Sequence, residues 1–504
     1  MSAEGVDRLE NRIHQSALLT RREMLALSAS AVLSTTGGLS CKQGALKKPN
    51  IILFLSDTLR ADHLSSYGYP VPTSPVFDAF CEDAILFESC YSQSPWTKPS
   101  VGSLFTGVLP RVHQSVITTD AGIEGADRAR VQILRERFST LAEGLQGVGY
   151  SCAAFVANAH LHPNFGYARG FHHYYLKSGE EPAELMSKVV HWLNNNSTTQ
   201  PFFVYVHILD PHHPYWPDAD RYLTVHGKGL QASRGALSPA DKTIFSELLK
   251  IWETGVSIEL SSVPDLSPRG MDYLISLYDA EISYVDIQLK RLLRAVESTE
   301  VADNTVIAVT SDHGEAFMEH GLYMHGYSPY DEEIHVPLAI RHPRNKAGVR
   351  VPHSVSQFDL YSTLLGLAGA HEPDYVQSSA LLGPDGALAV DQNRAVFTYV
   401  DRLNENPNAW DVGMVLGDQK LIRYAKGSSG GVGTTHYDRA KDPEEKHNLL
   451  AGGARPQNEQ TARLVAMLEA SHATTVNLAN SLGEPEWTVT EAEYREEIEA
   501  LGYL

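Results

Sequence analysis

The chain has 504 residues, 43% hydrophobic and 20% charged, an ordinary globular composition with ample apolar material for a large core. Its formal net charge of −20 argues against non-specific binding to nucleic acid or to anionic membranes. An enzyme for anionic substrates would need a local positive centre in such a chain, and a bound divalent cation would supply one.

The first forty residues read as an export signal. Thr20-Arg21-Arg22-Glu23-Met24-Leu25 has the form of a twin-arginine motif, and residues 24–40 continue in Ala, Ser, Leu and Thr with little charge. This stretch is too short and hydroxyl-rich to span a membrane. Cys41 stands where a bacterial lipid-anchor cysteine stands, although Gly38 occupies a place where such signals carry a larger aliphatic residue. The only membrane association expected is through such an anchor, and the expected location is periplasm or cell surface. The other cysteines, Cys81, Cys90 and Cys152, form no CxxC or zinc spacing; Cys81 and Cys90 can be read as one bridge or as free thiols.

From Pro49 the texture changes. Ile51–Leu55 is a continuous apolar run, the mark of a strand buried on both faces. Similar runs recur at 153–156, 202–206 and 306–309, with helical patterns at 140–145, 183–193 and 273–293 between them. This alternation predicts an α/β fold, a mostly parallel central sheet flanked by helices. Residues 218–270 are polar and irregular and read as a helical insertion near the mouth of the site. After residue 385 come short strands at 395–400, 412–416 and 420–424, then a Gly/Ser-rich hairpin loop at 427–433. These predict a small antiparallel C-terminal sheet, followed by a helix over 457–478.

Three buried runs end in residues that bind metals or move protons. They lead into Ser56-Asp57, into His207 through Asp210-Pro211-His212-His213, and into Ser311-Asp312-His313-Gly314-Glu315. Parallel strands would bring these to one edge of the sheet, where open α/β folds bind ligands. Asp57, Asp312 and His313 form an oxygen-rich set with one imidazole, suited to a divalent ion. Taken singly, such residues are turn formers or caps; together they carry the reading. Thr97 precedes Pro99, which suits the first turn of a helix. A hydroxyl there, beside a cation and a helix N-terminus, can serve as a nucleophile, although alone it reads as an N-cap. His172, His173, His213 and His436 are assigned no role.

The motifs resemble the sulfatase family of the alkaline phosphatase superfamily over most of residues 49–450. They include Pro49 to Tyr69, Pro95-Trp96-Thr97-Lys98-Pro99-Ser100, Asp210-Pro211-His212-His213-Pro214-Tyr215, Thr310 to Glu315, Met324-His325-Gly326 and Ser356-Gln357-Phe358-Asp359-Leu360. The resemblance implies an alkaline-phosphatase-like catalytic domain over 47–385. An export signal and linker (1–46) would precede it; a C-terminal α+β subdomain (386–480) and a tail (481–504) would follow. It implies a metal-dependent hydrolase of sulfate esters. Asp57, Asp312, His313 and Thr97 would be the metal ligands, calcium being typical and Mg, Mn or Zn admissible. Thr97 would be the nucleophile, His212 the histidine near the leaving group, and His325 a contact of the oxyanion or leaving oxygen. The substrate would be a small-molecule or glycan ester, with no nucleic acid as partner. Thr97 stands where the family has a Cys or Ser that becomes formylglycine, Val101 replaces an Arg, and Thr58 replaces a second acid. Asn158 lies where a lysine would neutralise the oxyanion, a charge Lys98 can partly replace. Threonine cannot become formylglycine, since its carbinol carbon already bears a methyl group. Two alternatives therefore stay open: a phosphoester or phosphonate ester hydrolase on the same scaffold, and a non-catalytic surface binding protein.

Overall fold

The computed structural model describes residues 48–489, apart from 117, 120–129, 197–199, 216–224, 226–229, 255–265, 345–347, 402–408, 427–430, 432 and 451–457. The signal reading and Cys41 lie outside the described residues, and among the described helices none is long and apolar enough to cross a membrane.

Eight strands form the central sheet: β1 Asn50–Ser56, β2 Ile85–Tyr91, β3 Ser151–Val156, β4 His173–Leu176, β5 Phe202–Ile208, β6 Thr305–Ser311, β7 His335–Arg341 and β8 Val349–Ser356. Their order is β8-β2-β7-β6-β1-β5-β3-β4. Only β7 runs against its neighbours β6 and β2; every other pairing is parallel. The apolar runs are covered on both sides. Ile52 and Phe54 belong to one apolar cluster, Ile51, Leu53 and Leu55 to another. Helices α1 Pro75–Cys81, α2 Thr97–Thr106, α3 Leu141–Gln146, α4 Pro182–Asn196, α5 Pro268–Glu297 and α6 Asp359–Ala368 connect or flank the strands. The start of α3 is set locally by a capping box. Thr140 Oγ1 accepts from the Glu143 N–H at 3.1 Å, and Glu143 Oε2 accepts from the Thr140 N–H at 2.8 Å.

Register places the site. Ser56, the last residue of β1, pairs with Ile208 of β5 and with Ser311 of β6. The three strands therefore end side by side, and Asp57, Asp210 and Asp312 emerge at one edge of the sheet.

A second sheet of four antiparallel strands follows: β9 Val396–Asp401, β10 Trp410–Leu416, β11 Gln419–Arg423 and β12 Thr434–Asp438. Helix α7, Glu459–Ser481, packs Leu464 and Leu468 into an apolar cluster with Tyr399, Trp410, Val412, Met414 and Leu421. The 427–433 loop does join two antiparallel strands, though most of it is outside the described residues. The stretch 218–270 is helical where it is described, at Leu230–Gly235, at Pro239–Thr254 and in the first turn of α5. Within the stretch read as a tail, Trp487–Val489 is a strand, paired antiparallel with residues 130–132. Cys81 and Cys90 are free thiols, which settles the open choice between them and a bridge.

Candidate active site

The second sheet holds the approach to Thr97. Ser92 O accepts from Thr398 Oγ1 at 2.6 Å, Gln93 O accepts from the Tyr399 N–H at 2.9 Å, and Trp96 Nε1 donates to Asp401 Oδ2 at 3.0 Å. Thr97 is the first residue of α2, and Trp96 is its cap; an N-cap at Thr97 is thus one residue late. The helix is fixed from beneath by His113. Its Nδ1 accepts from the Ser115 N–H at 3.0 Å, so Nε2 carries the proton and donates to Pro99 O at 3.1 Å. A Cβ at Gly102 would meet that ring at 2.9 Å, so only glycine lets the helix sit so close. Ser100 Oγ donates to Asp312 O at 2.7 Å and ties the helix to the end of β6.

The Thr97 hydroxyl lies 3.3 Å from Asp57 Oδ2, from His313 Nε2 and from Asn158 Nδ2. Asn158 Oδ1 accepts from the His160 N–H at 2.9 Å, which turns the amide NH2 toward Asp57 Oδ2 at 2.7 Å. His207 reaches the same oxygen at 3.1 Å. A carboxylate only accepts, so the proton is on His207 Nε2; the Tyr205 hydroxyl, 2.8 Å from Nδ1, then donates to it. Thr58 adopts a left-handed φ of +55°, an unusual conformation for threonine, and its N–H donates to Asp312 Oδ1 at 3.3 Å.

Asp57 Oδ1 and Asp312 Oδ2 are buried and have no hydrogen-bond partner among the described residues. They lie 3.5 and 3.6 Å from His313 Nε2. His313 Nδ1 donates to Gly314 O at 2.9 Å, which leaves a lone pair on Nε2. Two orphaned carboxylate oxygens and one imidazole nitrogen beside a hydroxyl fit a divalent cation, because buried polar atoms without partners are otherwise costly. Burial works to raise Asp57, but the hydrogen bond from His207 and the nearby histidines outweigh it and hold it well below the usual carboxylate range. Burial and the charge of Asp57 raise Asp312. The pair titrates as a unit.

A histidine cluster adjoins this site. The His325 ring centroid is 4.5 Å from that of His313 and 4.9 Å from that of His212, and His212 stacks on His213 at 4.2 Å. His325 Nδ1 donates to Glu315 Oε1 at 2.8 Å, and Tyr215 Oη donates to Glu315 Oε2 at 2.9 Å. Burial first, then the charge of His213, pushes His212 well below the usual imidazole value; burial also lowers His325. Lys98 is fully buried with its ammonium 5.6 Å from the Phe165 ring centroid, and burial pushes its pKa well down.

The structure thus brings Asp57, Thr97, Asp312 and His313 together, with His325 and His212 beside them. Sequence reading assigned no role to His207, Glu315 or His113. His207 had one available signal: it alternates with Tyr205 along β5, inside a quoted cluster.

A profile of the sulfatase family matches residues 49–370, well over half of the chain. The chain belongs to the sulfatase family. A second profile, for the C-terminal part of N-sulphoglucosamine sulphohydrolase, matches residues 318–473. An uncharacterized sulfatase of Escherichia coli K12, YidJ, is 25% identical over 453 residues, covering 80% of this chain and 84% of its own. An N-acetylglucosamine-6-O-sulfatase of Bacteroides thetaiotaomicron is 23% identical, covering 87% and 89%. A phosphonate monoester hydrolase of Agrobacterium radiobacter shares the fold with a TM-score of 0.64 at 21% identity, covering 86% of this chain and 96% of its own. A chain solved with its substrate D-glucosamine-2-N,6-O-disulfate does so with a TM-score of 0.65, also at 21% identity, covering 87% and 99%. This sulfatase has the alkaline-phosphatase-like fold and is a hydrolase acting on ester bonds.

Proposed function

We propose that this sulfatase is a metal-dependent hydrolase of sulfate esters on sugars, with Thr97 as its nucleophile. One observation carries the reading: the orphaned Asp57 Oδ1 and Asp312 Oδ2 face His313 Nε2 next to a buried hydroxyl. Asp57, Asp312, His313 and Thr97 would hold the cation, calcium first and Mg, Mn or Zn on the same donor set. When bound, the cation supplies positive charge that acidifies a neighbouring hydroxyl and offsets charge on the ester oxygens.

Thr97 Oγ1 passes its proton to Asp57 Oδ2, to which it donates at 3.3 Å, and bonds to sulfur in line with the leaving oxygen, while the sulfur–oxygen bond to the alcohol breaks. His212 hands its proton to the departing oxygen. Burial keeps His212 and His325 neutral at rest; an anionic ester entering beside them favours the imidazolium form, so the proton arrives with the substrate. His325, held by Glu315, stabilises the group in transfer. Asn158 Nδ2 donates to the same centre, and Lys98 adds charge from behind the helix to the extent that burial leaves it protonated. Water then attacks the Thr97 ester, releasing the anion and restoring the hydroxyl. Thr97 has one hydroxyl, so release by elimination from a hydrated aldehyde is not open to it. That single hydroxyl favours the second reading, a phosphoester or phosphonate ester hydrolase. The names of the relatives favour sulfated amino sugars. Export by the twin-arginine route, with Cys41 as a lipid anchor, completes the proposal.

Metal analysis of the purified protein, with parallel assays on aryl sulfate, phosphate monoester, phosphodiester and phosphonate, tests it. The expected result is one divalent cation per chain and fastest turnover on the sulfate. Preference for a phosphorus ester would install the second reading. No turnover on any ester with cation supplied would favour a binding protein.

A further inference from the structure

His212, His213 and His325 each offer one ring nitrogen, and these nitrogens lie within 4.8 Å of one another. Tetrahedral zinc coordination with N–Zn bonds of 2.0–2.1 Å needs nitrogens roughly 3.4 Å apart, a closure that small side-chain rotations can make. The three residues are 4%, 7% and 5% exposed. Two of them carry the anchoring usual for metal-ligating histidines, in which the distal ring N–H is tied to a carbonyl or carboxylate. His212 Nδ1 donates to His213 O at 2.6 Å and His325 Nδ1 to Glu315 Oε1 at 2.8 Å. Both neutral rings therefore carry their lone pair on Nε2. Among the described residues His213 Nδ1 has no hydrogen-bond partner, and it stands 3.9 Å from Glu315 Oε2. The buried Glu315 carboxylate supplies the compensating charge.

We propose that these three imidazoles form a second cation site, nitrogen-rich and selective for borderline ions such as Zn2+ or Co2+ over Ca2+ and Mg2+, and that filling it inhibits hydrolysis. Selectivity follows from the donors. Imidazole suits zinc and its neighbours, whereas calcium and magnesium demand oxygen. The Asp57–Asp312–His313 set is oxygen-rich, so the two sites sort different ions. Inhibition follows because the ion takes the Nε2 atoms of His212 and His325. That half rests on the roles proposed for them above, while the binding half does not.

The test titrates Co2+ into full-length protein saturated with Ca2+, following visible absorption, cobalt-edge X-ray absorption and ester turnover. The expected result is one further equivalent of Co2+ with three imidazoles in its shell, and turnover falling in step with its occupancy. His213→Gln should weaken that equivalent at least tenfold. Thr97→Ala should retain it, whatever becomes of Thr97 as nucleophile. A shell without imidazole, or equal Co2+ affinity in folded His213→Gln, would overturn the site. Full turnover at saturating Co2+ would overturn the inhibition. The cobalt-edge spectrum of the unaltered protein decides the matter if the variant does not fold.

Discussion

Two clusters of buried charge in this sulfatase are built in opposite ways. At the junction with the second sheet, Lys420 Nζ lies 2.6 Å from Asp331 Oδ1 and 2.7 Å from Glu445 Oε1, while Arg439 Nε lies 2.9 Å from Asp331 Oδ2. Two carboxylates meet two cations, and His320 closes the rim through Glu332 at 2.6 Å and its stack on Tyr330. At the end of β1 and β6, Asp57 and Asp312 meet no Lys or Arg among the described residues, and each keeps one oxygen without a hydrogen-bond partner there. In the first cluster each carboxylate faces a cation of the chain itself, including Glu445 Oε1, which makes no hydrogen bond among the described residues but lies 2.7 Å from Lys420 Nζ. The second is complete only with something from outside it. Burying charge is common to both, so it does not mark function here; leaving charge unmatched does.

The sharpest way to break this contrast is to remove Thr97. Thr97→Ala is expected to lower turnover on the order of 10^4-fold, about 5.5 kcal/mol of barrier, with the thermal midpoint nearly unchanged. Steady-state kinetics and calorimetry on the same preparation check both halves. Lys420→Met reverses the pattern. It leaves the buried Glu445 and the half-buried Asp331 with one cation fewer, and breaking such a pair costs about 3–5 kcal/mol. Chemical denaturation should show that loss, while kcat in the remaining folded protein should hold. If Lys420→Met abolished turnover without loss of stability, the division between the two clusters would fail.

The parts legible in the sequence share a reason. Buried parallel strands have to be continuous apolar runs, and whatever follows them has to lie at one edge, so Asp57 and Asp312 were placed together before any register was known. Thr97 was legible because Pro99 fixes the helix start nearby. Residues acting across distance were not. His113 lies sixteen residues from Thr97 in the chain and supports it through Pro99 O, a contact with no periodicity. His207 read as part of a strand, and only the pairing of β5 with β1 turns it onto Asp57. Lys98 enters through the resemblance as a charge for the site, and no sequence pattern shows that its ammonium lies 5.6 Å from the Phe165 ring centroid.

The unmatched pair can be probed by pH without touching turnover. In metal-free protein Asp312 is raised by burial and by Asp57, so the folded state holds a proton there that the unfolded chain has already lost. Stability should therefore fall as pH rises out of the ordinary carboxylate range. Asp57 is lowered, and its contribution runs the other way: present above the ordinary aspartate value, lost only in strong acid. Asp286, Glu333 and Glu445, raised by burial to about 7, 8 and 7, add to the same fall, but added cation should remove the share due to the pair by neutralising it. Asp312→Asn should remove it as well, raising metal-free stability by about 1 kcal/mol or more above pH 6 while abolishing the gain from cation. Melting curves with and without chelator across pH 4 to 8 measure this. A metal-free profile that neither cation nor Asp312→Asn alters would mean that the two carboxylates do not repel each other.

The smallest effect tests whether burial sets the scale. Arg423 Nε and Glu469 Oε1 form an ion pair of 3.2 Å between β11 and α7, with side chains 27% and 49% exposed. Its charges resemble those of the Lys420 cluster, and it too joins two elements of the C-terminal part. Water screens it, however, and ordering two long side chains offsets most of the attraction, so such pairs contribute roughly 0–1 kcal/mol. Arg423→Ala should therefore cost less than 1 kcal/mol, and 1 M salt should reduce even that. Salt should leave the cost of Lys420→Met nearly intact, because ions do not reach the buried pair. If both losses shrank alike in salt, the Lys420 cluster would be in contact with water, and the contrast with the cation site would rest on exposure rather than on pairing.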